Sequence, residues 1–228
     1  MYVTSPLNYL NAEPVNPANL FAEAADTRSH ISSADAGHTL FCEGDDADFV
    51  YEVLEGVVRT SKVLCDGRRQ VLSFAYPGDI VGLSHDQFYH SDCDAVSAVK
   101  IRVYRKNAYN ASYRDDPGLC DQFLRYATAE VSNMQDHFMM LGRKSAVEKV
   151  ASFLLVLLDR VGEKRNCQTC FDLPMSRSDI ADFLGLTIET ISRTLTRLRK
   201  DNIIELPDPH RVCVCNINGL RALAESAD

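Results

Sequence analysis

Long apolar runs are missing from this 228-residue chain. The longest, residues 151–158 in ASFLLVLLDR, falls far short of the ~20 residues that a bilayer-spanning helix needs. Residues 1–11 lack the basic leader and continuous apolar stretch of a signal peptide. These two absences predict a soluble, cytoplasmic protein. In that compartment the eight cysteines read as mostly reduced thiols, not as a disulfide framework. An excess of positive charge is missing as well. The net charge is −8, which taken alone argues against a nucleic-acid partner. Nor is there a His-x-His pair with a nearby carboxylate, the set a metal oxygenase on a small β-roll would need. His38, His85 and His90 are isolated and read as surface or loop residues, so no enzyme is expected.

What is present suits two small domains. At 46% hydrophobic and 25% charged, the chain has enough apolar material to bury a core. The net charge hides an asymmetry. Residues 143–228 hold 13 Lys+Arg against 12 Asp+Glu, net +1, and the remainder holds 11 against 20, net −9. An acidic front joined to a nearly neutral back with clustered positives points to two jobs on one chain.

Residues 1–30 show little periodicity and several prolines, and read as a tail with one short helix around 19–25. From about Ala36 the chain becomes a series of short β-rich runs. They are punctuated by Glu43-Gly44-Asp45, Glu55-Gly56, Cys65-Asp66-Gly67 and Tyr76-Pro77-Gly78-Asp79, and AVSAVKIRVYRK supplies a final strand. That spacing predicts a small antiparallel sandwich or roll over 31–114.

Beyond Pro117 the period turns helical. Leu119, Phe123, Tyr126/Ala127, Val131, Met134, Phe138 and Leu141 recur at three- and four-residue steps, the seam of a coiled coil. Asp115 and Asp116 form the helix entry, and Gly142 a stop or kink. A helix of roughly 25 residues would be ~38 Å long and would overhang a small β-roll. The segment 115–144 is therefore expected to pair two copies of the chain, with Leu119, Phe123, Val131, Met134, Phe138 and Leu141 at the interface and His137 packed there too. A second helix follows over 146–160, then a polar loop.

The segment 145–228 carries the most specific pattern. In LPMSRSDIADFLGLTIETISRTLTRLRK, Ser176-x-x-Asp179 starts a helix as a capping box, with the acid in place of the usual Glu. Ile180, Ala181 and Leu184 give that helix a buried face. Gly185 supplies the turn, Leu186 packs in the elbow and Thr187 caps a second helix. Ala181, Gly185 and Ile191 stand where two crossing helices need, in turn, a small, a left-handed and a buried aliphatic residue. A hairpin follows in IIELPDPHRVCVCNI, with its turn at Pro207-Asp208. The pattern is a winged helix-turn-helix.

On the second helix Ile191, Leu195 and Leu198 share one face; Ile188, Glu189, Ser192, Arg193 and Thr196 share the other. The N-terminal part of a recognition helix is the part that reaches base edges. Arg193 suits guanine O6 and N7, and Glu189 can accept from a cytosine amino group. At i, i+4, Glu189 can also hold the Arg193 fork in position. Ile188, Glu189, Ser192 and Arg193 are thus the expected base readers. Thr187, Thr196, Arg197, Arg199 and Lys200 are the expected backbone contacts.

With these residues in view, the chain from about residue 35 onward resembles the CRP/FNR family of bacterial transcription regulators, and most its FixK-type branch. The likeness rests on the helix-turn-helix segment above and extends through EGVVRTSKVLCDGRRQVLSFAYPGDIVGL and the long helix. It implies an α+β architecture: an N-terminal jelly-roll of the cyclic-nucleotide-binding kind, a dimerisation helix and a C-terminal winged helix-turn-helix. It also implies a homodimeric regulator, acting as an activator with RNA polymerase as partner and linked to nitrogen fixation. The turn 65–69 (CDGRR) is a candidate polymerase contact. Glu189, Ser192 and Arg193 match the family's base-reading positions. Where the cyclic-AMP receptor has a second arginine, this chain has Ile188, which implies a TTGAT-N4-ATCAA-like palindrome and leaves an apolar contact for a thymine methyl.

Relatives that bind a cyclic nucleotide carry Gly-Glu after the PGD turn and then an arginine. Here Gly82-Leu83 follows, and no arginine comes before Arg102. A buried cyclic phosphate would lack its counter-charge, so cyclic AMP is not expected. Iron–sulfur members of the family hold their cluster on closely spaced N-terminal cysteines, whereas Cys42, Cys65, Cys93 and Cys120 are scattered. No cofactor is expected. Cys167, Cys170, Cys213 and Cys215 remain open: half-buried strand residues, or a redox or zinc site built where the wing returns. A thiol- or zinc-responsive DNA-binding sensor is the alternative reading.

Overall fold

Short strands separated by tight turns form the first part of the chain. The computed structural model describes residues 29–106, 117–165 and 168–225. The helix expected around 19–25, the Asp115–Asp116 entry and Cys167 lie outside the described residues. The strands are β1 (Ser29–Ala34), β2 (Thr39–Phe41), β3 (Phe49–Glu55), β4 (Val58–Val63), β5 (Arg69–Ala75), β6 (Ile80–Val81), β7 (Asp92–Ala95) and β8 (Val99–Arg105). They form two antiparallel four-stranded sheets, ordered β1-β8-β3-β6 and β2-β7-β4-β5.

Alternation along the strands decides what lies inside. Tyr51 and Val53 on β3 and Val99, Ile101 and Val103 on β8 join Phe41, Val58, Cys93 and Ala95 of the other sheet in one core. Aromatic rings fill its middle: Phe41 stacks on Tyr89 at 3.9 Å between centroids and on Tyr51 at 5.6 Å. Residues of opposite parity point away from that core. Among them Glu52 is buried, accepts from Tyr104 Oη at 2.6 Å, and is paired with Arg102 Nη1 at 2.9 Å. Gly56 turns β3 into β4 at φ 81°, and a Cβ there would stand 2.1 Å from the Ala98 carbonyl oxygen. Only glycine fits.

β1 begins inside the segment read as a tail. Its sequence, SHISSA, is polar, yet residues 29–34 pair with β8 along their full length. An edge strand needs ladder hydrogen bonds more than apolar side chains, so no clean alternation marks it.

Helix α1 (Pro117–Arg143) has proline at its first position, where the missing N–H costs nothing, and ends one residue after Gly142. Its 27 residues correspond to ~40 Å. The chain divides within it into two compact units, between Met134 and Gln135.

In the second unit, α2 (Ala146–Val161) opens on a Ser145–Glu148 capping box and buries Val150, Ala151, Phe153, Leu154 and Leu157. The segment read as a polar loop is partly a hairpin, β9 (Glu163–Arg165) and β10 (Gln168–Asp172). Then come α3 (Arg177–Leu184), α4 (Ile188–Lys200), β11 (Ile204–Asp208), β12 (Arg211–Val214) and a closing helix α5 (Ile217–Glu225) that the sequence reading did not include. The sheet order is β11-β12-β10-β9. α5 packs on α2, and Lys144 Nζ ties the two, donating to Ser152 Oγ at 2.7 Å and to the Ala224 carbonyl at 3.0 Å. Among the described residues no helix is long and apolar enough to cross a membrane.

The wing turn lies at Pro209-His210, two residues beyond the expected Pro207-Asp208. Pro207 sits within β11, which is an edge strand, and the β11–β12 register shifts between Glu205 and Asp208. An edge position with a bulge tolerates the missing N–H. Asp208 Oδ1 then closes the turn by accepting from the His210 N–H at 2.7 Å.

Candidate nucleic-acid interface

The helix pair is built as its residues dictate. Ser176 is extended at the α3 N-cap and its Oγ accepts from the Asp179 N–H at 3.1 Å. Asp179 Oδ2 in turn accepts from the Ser176 N–H at 3.0 Å, completing the box. Gly185 stops α3 in the left-handed region, φ 62° and ψ 43°, with its N–H on the Ala181 carbonyl. Leu186 N–H reaches the same carbonyl at 3.0 Å. Thr187 caps α4, its Oγ1 accepting from the Thr190 N–H at 3.2 Å. Ala181 and Ile191 are buried where the helices cross.

One face of α4 is locked in place. Ile191 and Leu198 are at 0% exposure and Leu195 at 3%, so the helix cannot rotate without opening the core. Thr194 is buried with them, which polarity alone did not signal. The opposite face is open. Glu189, Ser192 and Arg193 are exposed in the helix's N-terminal half, beside Ile188 at 47%. Thr196 is half-buried, its hydroxyl donating back to the Ser192 carbonyl at 2.8 Å. Arg197, Arg199 and Lys200 are exposed at the C-terminal end, with Arg197 Nε 3.7 Å from Asp201.

Glu189 is held low in pKa first by a backbone N–H, then by the Thr187 hydroxyl; the Arg193 charge contributes least. No Glu189–Arg193 ion pair forms among the described residues. The proposed clamp on the Arg193 fork does not operate in the unbound chain.

Buried Lys149 and half-buried Arg177 set the elbow. Lys149 of α2 extends its Nζ to the Leu184 carbonyl at 3.2 Å, satisfying the last turn of α3. Arg177 Nη2 donates to the Pro209 carbonyl at 3.2 Å, joining the start of α3 to the wing turn. No local sequence signal marks either contact, because both partners are backbone carbonyls brought in by the fold.

On α1 the expected interface residues divide. Val131 (54%), Met134 (67%) and Phe138 (77%) are open to solvent, while the side chains of Leu119 and Phe123 lie outside the described residues. Leu141 is partly covered and comes close to Gly185. His137 stacks on Phe183 of its own α3 with ring centroids 4.2 Å apart. Burial, and secondarily the Lys149 charge, push its pKa down. The turn 65–69 projects between β4 and β5, with Gly67 at φ 83° and Arg68 Nε on Asp66 Oδ2 at 2.7 Å. His38, His85 and His90 are exposed, and His90 Nε2 lies 2.8 Å from Asp86.

Of the four cysteines singled out, Cys170 and Cys213 form a disulfide and Cys215 is exposed. Among the described residues no group of three or more His, Cys, Asp or Glu is arranged to hold a metal.

Two family models match the chain: a cyclic nucleotide-binding domain over residues 31–116 and a Crp-like helix-turn-helix domain over 148–223. The nitrogen fixation regulation protein FixK of Bradyrhizobium diazoefficiens is 42% identical over 192 residues, covering 81% of this chain and 80% of that protein. The transcriptional activatory protein AadR of Rhodopseudomonas palustris is 41% identical over 174 residues, covering 76% and 73%. The solved structure of FixK2 from Bradyrhizobium japonicum superposes with a TM-score of 0.81 at 32% identity, covering 88% of this chain and 99% of that one. With relatives of this kind, the chain is a DNA-binding transcription regulator and not an enzyme. It belongs to the CRP/FNR family, on its FixK-like branch.

Proposed function

We propose that the chain acts in the cytoplasm as a homodimeric activator that reads a TTGAT-N4-ATCAA-like palindrome. The carrying observation is the open stripe of Ile188, Glu189, Ser192 and Arg193 on a helix whose other face is fixed in the core. Arg193 reads guanine, Glu189 accepts from cytosine, and Ile188 meets a thymine methyl. Ser192 sits between them. Thr187, Thr196, Arg197, Arg199 and Lys200 hold the phosphates, with Thr196 contributing only after its bond to Ser192 is given up.

The exposed row Val131, Met134 and Phe138 supports a second copy packed along α1, because side chains of this size are seldom left open along one helix face. Leu119, Phe123 and Leu141 continue that seam. Two recognition helices then enter successive major grooves about 34 Å apart. In the roll, Phe41, Tyr51 and Tyr89 occupy the interior and Arg102 is engaged by Glu52, which supports regulation without cyclic AMP. The scattered cysteines support regulation without an iron–sulfur cluster. Contact with RNA polymerase is assigned to the 65–69 turn, and the relatives' names connect the chain with control of nitrogen fixation.

Fluorescence anisotropy of the reduced protein on the palindrome and on a scrambled duplex, with no added ligand, tests this. Preference for the palindrome is expected; equal binding would refute the base-reading assignment. The second reading, a sensor using the winged unit's cysteines, is supported on its thiol side by the Cys170–Cys213 bond. Stoichiometric zinc in the purified protein would favour its metal side.

A further inference from the structure

The disulfide encloses everything that the proposed function uses to read DNA. Cys170 on β10 and Cys213 on β12 stand directly opposite each other, with α-carbons 4.0 Å apart, and both are buried. They are 43 residues apart in sequence, and the closed loop contains α3, α4 and the wing turn. At one end β10 runs to Leu173, whose N–H bonds the His210 carbonyl at 2.6 Å, and then to the N-cap of α3. At the other end β12 is continuous with Cys215 and Asn216, whose N–H groups both bond Ile203. Ile203 N–H in turn reaches the Leu198 carbonyl of α4 at 3.0 Å.

The ladder does not depend on the sulfur bond. Thr169↔Val214 and Phe171↔Val212 flank the cysteines in register, and Val212 and Val214 are buried. Two thiols in these positions would pack as small apolar groups, so the reduced sheet keeps the same pairing. Cys215, two residues further on, has its thiol pKa raised by partial desolvation of the sulfur and by Glu205, which keeps it protonated and slow to scramble the pair.

We propose that Cys170 and Cys213 form a reversible dithiol–disulfide site that takes small hydroperoxides as oxidant and sets the stability of the DNA-reading unit. This rests on the DNA-reading assignment of α4 only for its consequence, not for its chemistry. One thiol, losing its proton, attacks an oxygen of hydrogen peroxide; the O–O bond breaks to leave a sulfenic acid and a hydroxide, which takes up that proton to become water. The second thiol displaces the sulfenic oxygen as another water, so two thiols and one peroxide yield one disulfide and two waters. A dithiol reductant reverses the change by exchange. Closing a loop of this length restricts the unfolded chain, so the oxidised unit melts higher with the same fold.

Full-length protein, reduced with dithiothreitol or treated with hydrogen peroxide, is denatured, labelled with a maleimide and mapped by mass spectrometry. Its thermal unfolding and its anisotropy on the palindrome are recorded in both states. Expected results are a 170–213 peptide pair lighter by two hydrogens after peroxide, and a melting temperature about 10 °C higher than in the reduced protein. A variant carrying Cys170→Ala and Cys213→Val should melt at one temperature in both conditions while still preferring the palindrome. Labelling of both cysteines after peroxide, or equal melting temperatures of the two wild-type states, would overturn the proposal. Failure of reduced wild type to prefer the palindrome would count instead against the base-reading assignment and leave the thiol chemistry standing.

Discussion

Replacing Arg193 with alanine separates recognition from folding. The side chain is exposed and makes no packing contribution to the α4 face held by Ile191, Leu195 and Leu198. Its loss should therefore change unfolding free energy by no more than about 0.5 kcal/mol. On DNA, a bidentate arginine–guanine contact is worth ~1–3 kcal/mol of discrimination. A dimer loses it twice, so the palindrome should bind with roughly 2–6 kcal/mol less free energy, a weakening of roughly 30-fold to 10⁴-fold. The scrambled duplex, held through phosphates, should lose little by comparison. Lys200→Ala is the matched control: it should weaken both duplexes alike and flatten the salt dependence by about one phosphate per protomer. Anisotropy titrations of the three proteins on both duplexes, at several salt concentrations, read these differences directly. An Arg193→Ala protein that keeps the wild-type ratio of palindrome to scrambled binding would refute the groove assignment, whatever its absolute affinity.

The remaining expectations concern the fold and the seam. Leu198→Ala removes a fully buried side chain from the α4 face and should cost about 2–5 kcal/mol in urea unfolding; a cost below about 1 kcal/mol would mean that this face is not core. Phe138→Asp places charge on the open row of α1 and should shift the protein to monomers in sedimentation velocity without lowering helix content. An unchanged dimer would move the interface elsewhere. His137 has a folded-state pKa below its ordinary value, so the unfolded chain binds more protons between that depressed value and ~6.5. Stability should therefore rise with pH through this window and be lost on acidification. His137→Phe, which keeps the ring on Phe183, should flatten that slope.

Capping and turn chemistry were readable because they are local. The Ser176–Asp179 box, the left-handed Gly185, the Thr187 cap and the alternation of Ile191, Leu195 and Leu198 each involve residues at most a few positions apart, and each appears where its spacing puts it. The turn glycines Gly44, Gly56, Gly67 and Gly78 all adopt positive φ for the same reason. The missed elements are those whose stability comes from a distant partner. β1 is polar and exists through its ladder to β8; α5 is secured by α2 and Lys144; Pro207 stays in β11 because that strand is at an edge. Helical period places His137 on a face of α1, but its stack on Phe183 follows from how α3 is brought against that face.

The sequence alone determined the class of the protein, since binary pattern, caps and a charged recognition face follow from short-range geometry that any chain with these residues must obey. Only the tertiary structure decided that Lys149 steadies the elbow and that Cys170 meets Cys213. Contacts across 35 and 43 residues depend on how strands and helices are ordered in space, and no local spacing encodes that order.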